Sequence, residues 1–524
     1  MIDTVFYSVW RNCFLRGIIR NKVCQHLLIN VSTITELHNN HQYLSLFSEK
    51  DKIDNSIYIR LNISDRDEFN QYINSPYKSL ANDLKFNDSY TKEGEKSNYI
   101  GLDCDQIHKG VARLSCWIDE TTSGTSSSLP QSLTELKVYS RHRFSNSFLD
   151  SVLSNLPASL RKLELPSDYS ITTQVELSHT LVELDYNTTG SNIKKLIVPS
   201  NKIFTNCRVT VESIDQLQWI HSHPFVGILR MDQLPIETIT CGVIPENILS
   251  LDITHHGDVE DGAFPNSIVK LAYRSNSPIN KITLPQSLTY LQLDSLSQPL
   301  EKGWLPSTLE TLQIFNYDLP LLKGVLPDGL KQLILTTFNQ QLDTGVIPNS
   351  LEDLTLASFN NELKPFVLPE GLLVLDLSEF TGSFVANSLP SSLNSLELGE
   401  FEGSFEYAPP MNNLSVLIVN QVNSSAIRVI SNTCNLRISC RSIEKGLNLQ
   451  DTAIQHLQLL LFTSNRLSLS PNLVPKDIQT LRLYRIDIKS SGLIPVSCKK
   501  LETDNIDLDL NLIPKSTKHT FNNH

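Results

Sequence analysis

Pro306, Pro327, Pro348, Pro369 and Pro390 stand 21 residues apart without a slip. Each opens the same short phrase, as in GVLPDGLKQLIL and GVIPNSLEDLTL. A period this short and this regular is the mark of a stack of coils, in which each unit buries its apolar face only against its neighbours. It excludes a single globular core. The 524 residues therefore measure a number of coils and not a number of domains.

The phrase reads aP-x-x-axxLxL, where a is Leu, Ile, Val or Phe. Leu333 and Leu335 are two apart, so in a strand both point into the core while Ile334 points out. Leu330 packs beneath them. Pro327 fixes φ and has no N–H, which suits a corner before the next strand. The far side of the coil is equally periodic, with Phe338, Phe359, Phe380 and Phe401 in one column and Leu342, Leu363, Phe384 and Phe405 in another. Asn316, Asn339 and Asn360 each follow a Phe in three successive coils, where their amides are expected to bond the carbonyls of the irregular return segment. A 21-residue coil leaves little room for a helix, so the returns are expected to be extended or 3₁₀. Successive strands then form one parallel sheet.

Before the repeat, Val5, Phe6, Val9, Trp10, Cys13, Phe14 and Ile18 recur at helical spacing. Residues 1–48 are read as a helical cap over the first coil. Residues 49–128 are read as divergent coils, with Ile57, Ile59, Leu61 and Ile63 on one strand face and Phe69, Tyr72 and Ile73 on a short helix. Ser89–Asn98 and Thr121–Ser128 read as polar loop or linker. The solenoid proper is assigned to 129–514 with about sixteen coils, and 515–524 to a frayed tail.

Phrases such as LPDGLKQLILTTFNQQLDTGVIPNSLEDLTL resemble the FNIP repeat, a leucine-rich-repeat relative of social amoebae. The resemblance covers about residues 129–500 and is strongest from Ile244 to Phe405. It implies a β-rich, leucine-rich-repeat-like solenoid with a curved parallel sheet and a recognition role, and it brings no active site. WRNCFLRGIIR resembles a degenerate F-box-like helix, so a Skp1-like adaptor at Phe6–Ile19, within a ubiquitin ligase, is the alternative role. Departures from the pattern at 182–230 and 420–470 leave the coil count open there.

Net charge is −12 and the pI about 5.6, so no basic field draws nucleic acid or anionic lipid. Nine cysteines without a CxxC read as buried thiols in a reducing compartment. No apolar run is long enough for a membrane span, and Arg11, Arg16, Arg20 and Lys22 interrupt any signal-peptide core, so a cytosolic location is expected. His221/His223 and His255/His256 lack the spacing of metal ligands, and no phosphate-loop, dinucleotide or hydrolase motif occurs. The chain reads as a non-enzyme without cofactor.

The outward strand positions are then the candidate binding face for a protein partner. One row runs Gln292, Gln313, Ile334, Thr355, Asp376, Glu397 and Ile418; a second runs Tyr290, Thr311, Gln332, Asp353, Val374, Ser395 and Val416. Residues 350–406 hold ten acids and one base, Lys364, so Asp353, Asp376 and Glu397 are candidates for a basic segment of a partner. Tyr290, Gln313 and Ile334 supply the mixed polar and apolar part of the face.

Overall fold

The computed structural model describes residues 13–87, 104–118, 128–140, 147–167, 169–275, 283–463, 466–505 and 508–521. Ser89–Asn98, residues 121–127 of the Thr121–Ser128 run, and residues 6–12 of the segment Phe6–Ile19 read as a helix lie outside them. The chain divides into two compact units, the first comprising residues 1–235 with 247–249, the second 236–246 with 250–524.

In the first unit nine strands lie parallel, each paired with the next: Leu28–Val31, Tyr58–Ile63, Asp83–Phe86, Arg113–Ile118, Glu135–Ser140, Lys162–Glu164, Glu183–Thr189, Phe204–Val211 and Val226–Asp232. In the second, fourteen described strands continue the same plan from Ser250–Thr254 to Lys518–Phe521. The fold is a β-solenoid of the leucine-rich-repeat kind.

The regular coils show why the phrase folds this way. Leu330, Leu333 and Leu335 are fully buried, and Leu333 pairs in register with Leu312 before it and Leu354 after it. The proline carbonyl closes a turn by accepting the N–H three residues on, at 3.1 Å for Pro327–Leu330 and 3.2 Å for Pro348–Leu351. The residue before that leucine adds a link not anticipated from the motif. Its hydroxyl donates to a main-chain carbonyl of the preceding coil: Ser287 to Ile268, Thr308 to Leu288, Ser350 to Leu330 and Ser392 to Leu372, at 2.6–2.9 Å. The same bond recurs in the first unit at Ser132, Ser159 and Thr180.

An aromatic column lies inside the second unit. Tyr317, Phe338, Phe359, Phe380 and Phe401 are buried, with centroids 6.5 Å apart for Tyr317–Phe338 and for Phe359–Phe380, and 6.2 Å for Phe380–Phe401. Phe384 stacks on Phe405 at 5.7 Å. Gly403 permits this closeness, since a Cβ there would lie 2.0 Å from the Gly382 carbonyl oxygen.

Several expectations are corrected. The asparagines accept and do not donate: Asn339 Oδ1 takes the Asn360 N–H at 2.9 Å, and Asn360 Oδ1 takes the Thr381 N–H at 3.0 Å. The column begins at Asp318, whose carboxylate takes the Asn339 N–H at 2.8 Å, because Asn316 belongs to the strand Thr311–Asn316. Strand pairing begins at Leu28, inside the segment read as cap, and the segment read as a frayed tail forms the strand Lys518–Phe521 against Lys500–Thr503. Among the described residues eighteen strands on the coil plan lie between Glu135 and Thr503, against about sixteen coils expected, besides six short strands that pair two by two. The strands Phe204–Val211 and Val226–Asp232 lack the proline phrase, as do Glu183–Thr189, Asn435–Ile443 and His456–Leu461. Returns between Gly303 and Ser404 hold no helix, yet irregular coils do, at Arg66–Asn74 capped by Asp65 and at Ile214–Ser222 capped by Ser213. The described cysteines are free, five of them buried.

Candidate functional site

The outward strand positions form rows that the sheet registers bring together side by side, about 4.8 Å apart. In the first unit the row Arg60, Asp83, Arg113, Glu135, Lys162 and Glu183 alternates in sign across six consecutive strands. Its charges neutralise one another. Arg60 bonds Asp83 at 2.9 Å, Arg113 bonds Glu135 at 2.8 Å and reaches Asp83 at 4.0 Å, and Lys162 pairs with Glu183. Lys137 in the next row joins Glu135 and Glu164 at 3.4 and 3.3 Å. The Arg113 guanidinium also stacks on the Tyr58 ring at 3.5 Å.

The second unit presents a different face. Gln292, Gln313, Ile334, Thr355, Asp376, Glu397 and Ile418 lie in one row, and Tyr290, Thr311, Gln332, Asp353, Val374, Ser395 and Val416 in the parallel one, as the spacing predicts. Tyr290 donates its hydroxyl to Gln292 at 2.8 Å and to Gln313 at 3.2 Å, so Tyr290 and Gln313 form one polar cluster. Ile334, half-buried, separates that cluster from the acids.

Asp376 and Glu397 are direct cross-strand neighbours, whereas Asp353 stands one row across, opposite Val374. Gln332 donates to Asp353 at 2.7 Å, and Ser378 to Asp376 at 2.5 Å. Among the described residues no cation pairs with Asp376 or Glu397. Burial raises the Asp376 carboxyl above the usual range, against the Ser378 bonds, and Asp353 adds to the rise. Glu397 is raised by burial and then by Asp376.

The rest of the acidic stretch does not share this face. Glu352, Glu362, Glu370, Glu379, Glu402 and Glu406 are exposed on turns and returns. Glu400 is committed elsewhere, to a two-pronged pair with Arg441 at 2.9 and 2.7 Å. Lys364, the one base, is held by Asp343 at 2.8 Å. Spacing alone assigns Asp353, Asp376 and Glu397 to outward strand positions; the register sets Asp376 beside Glu397, with Asp353 one row across.

Among the described residues no three His, Cys, Asp or Glu side chains converge as metal ligands, and no helix is long and apolar enough to cross a membrane. His255 is buried in the second unit, its Nε2 3.2 Å from the Asp258 carbonyl oxygen.

The FNIP Repeat family matches residues 276–317, 315–358 and 359–401. No curated protein matches the chain by sequence. Among solved structures, CroV588, described as a novel circular leucine-rich-repeat protein, shares 21% identity at a TM-score of 0.46, covering 87% of this chain and 68% of its own. The mouse RP105/MD-1 complex contributes a chain at 15% identity and a TM-score of 0.42, with 84% of each chain covered.

Proposed function

Starting from a leucine-rich-repeat-like solenoid that carries FNIP repeats at 276–401, we propose that the chain is a non-enzymatic scaffold that binds a protein partner on the outward sheet face of its second unit. The observation that carries this is the Asp376–Glu397 pair. Two neighbouring carboxylates raise each other's energy, and a cationic side chain from outside relieves both. The partner is accordingly a segment bearing Lys or Arg, with apolar side chains meeting Ile334 and polar ones meeting Tyr290 and Gln313.

Asp376→Asn with Glu397→Gln tests the reading. The double variant is expected to lose basic partners in affinity capture and, because it removes a charged pair that folding has to tolerate, to melt above the parent. An unchanged set of captured partners sinks the proposal. The sign follows from the raised carboxyls: the strain is full at neutral pH and fades as pH falls through their folded values.

A second reading, recruitment of a Skp1-like adaptor by the N-terminal helix, is favoured by one observation. The helix Cys13–Val23 leaves Ile18 50% and Val23 79% exposed. Arg20 meanwhile anchors it, pairing with Asp51 at 3.3 Å and lying over the Phe47 ring at 4.7 Å. Deleting residues 1–24 spares the first strand. Loss of a constitutive small adaptor on that deletion supports ligase recruitment, and an unaltered set of co-purifying proteins removes it.

A further inference from the structure

Beyond the acidic pair the same sheet face changes character. The strands Asn435–Ile443, His456–Leu461 and Thr480–Tyr484 place six polar side chains in a block of two rows by three strands. One row is Asn435, His456 and Thr480; the other is Arg437, Gln458 and Arg482. All six line a groove of about 370 Å³, with Ser415 at its rim.

Five of the six are unoccupied by the protein itself. Arg482 bonds Glu502 at 2.7 Å, and Glu502 is shared with Lys500. The side chains of Asn435, Arg437, His456, Gln458 and Thr480 have no hydrogen bond or ion pair among the described residues. Elsewhere on the two faces several guanidiniums and amides are matched across strands, as with Arg60–Asp83 and Gln332–Asp353. Here a set of side chains with free donors converges, and no carboxylate is among the residues lining the groove, Glu502 meeting only Arg482 of the six. Arg437 and Arg482 stand two strands apart, about 9.6 Å between main chains, with the Gln458 amide between them. That spacing lets two forked guanidiniums close on one tetrahedral oxyanion from opposite sides while amide, hydroxyl and imidazole groups supply further donors.

We propose that this groove binds a phosphate monoester carried on a protein segment. A dianion uses both arginines, whereas a carboxylate offers too few acceptors for the block. Nucleic acid is disfavoured because the net charge of −12 repels a polyanion and the donors cover one phosphate, not a track. The site is separate from Asp376 and Glu397 and stands or falls without them.

The test uses the full chain and fluorescence-anisotropy titration with labelled phosphoserine peptide, its unphosphorylated twin and a single-stranded oligoribonucleotide; inorganic phosphate serves as competitor. Saturable binding of the phosphopeptide alone, displaced by millimolar phosphate and weakened about tenfold or more in Arg437→Gln, is the expected result. Arg441→Gln, which removes a guanidinium already held by Glu400, is expected to bind like the parent. Inorganic phosphate that binds with the affinity of the phosphopeptide assigns the groove to the free ion and overturns the peptide assignment. Equal binding of the unphosphorylated peptide, tighter binding of the oligoribonucleotide, or parental affinity in Arg437→Gln overturns the proposal. Arg437 is exposed and unpaired, so its variant is expected to fold as the parent does, checked by an unchanged circular dichroism melt.

Discussion

His108 shows how much one half-buried side chain governs. Its Nδ1 meets the Tyr72 hydroxyl at 2.7 Å. Burial, then Lys78, lowers its pKa to about 4, with Lys52 adding to the fall and the Ala81 main chain opposing it. In the unfolded chain the imidazole titrates near its ordinary value, so protonation favours unfolding as pH falls from about 6.5 towards 4. Converted, that difference is on the order of 3 kcal/mol. Denaturant midpoints of parent and His108→Gln at pH 7 and pH 4.5 are expected to show a smaller acid loss in the variant; equal losses would place the acid sensitivity elsewhere. The hydroxyl links give a second residue-scale prediction. Gly371 occupies the position where Ser350 and Ser392 donate to the preceding coil, and a Cβ there meets its nearest atom, the Asn349 carbonyl oxygen, at an ordinary 3.7 Å. Gly371→Ser should therefore add one bond, to Leu351, and raise stability by about 0.5–1.5 kcal/mol in a denaturant titration.

At the scale of the coil, the aromatic column is the costliest feature to disturb. Phe380 stacks between Phe359 and Phe401 and touches Phe384 at 5.0 Å between centroids. Phe380→Ala is expected to cost about 3–5 kcal/mol, because neighbouring coils are held by their own strands and cannot collapse into the gap. Phe380→Leu should cost clearly less, which a denaturant series can resolve. This interior was legible in the sequence, since columns of Leu and Phe follow directly from a fixed spacing. So were the two outward rows from Tyr290 to Ile418. Hydrogen-bond polarity was not legible: an Asn can donate or accept, and only the position of the next coil's N–H decided that Asn339 accepts. The hydroxyl column was present in the phrase as a recurrent Ser or Thr before the leucine, but its carbonyl partner lies 20 residues back. The charge row from Arg60 to Glu183 and the groove at Arg437 escaped for a different reason. Their coils differ in length, so facing partners cannot be found by counting.

For the whole molecule, coil-by-coil contact sets what can be changed. Each strand of the second unit pairs with those before and after it, and the buried columns repeat at the same spacing from Gly303 to Ser404. Excising residues 327–347, one full period, should leave a folded protein with a cooperative melt, whereas excising 332–341 should not, because it removes a strand without closing the column. Circular dichroism melts of the two deletions decide the matter. The outward faces differ locally: the Arg60–Glu183 row cancels its charges strand by strand, while among the described residues Asp376, Glu397 and Arg437 have no ion-pair partner. On the function proposed above, the partner belongs to the second unit and none is expected on the Arg60–Glu183 row.

Some lateral bonds outside the strands run from the later coil to the earlier, beside others that run forward, such as the Tyr317 N–H to the Thr337 hydroxyl at 2.9 Å and the Phe366 N–H to the Asn387 carbonyl at 2.8 Å. Ser350 donates back to Leu330, Asn360 back to Asn339 and Thr381 back to Asn360. In each case the later coil brings the N–H or O–H and the earlier one already holds the acceptor. During synthesis from the N-terminus, an emerging coil thus meets an edge that offers both oxygens and N–H groups. The solenoid is suited to being laid down in the order in which it is translated, each turn serving as the mould for the next.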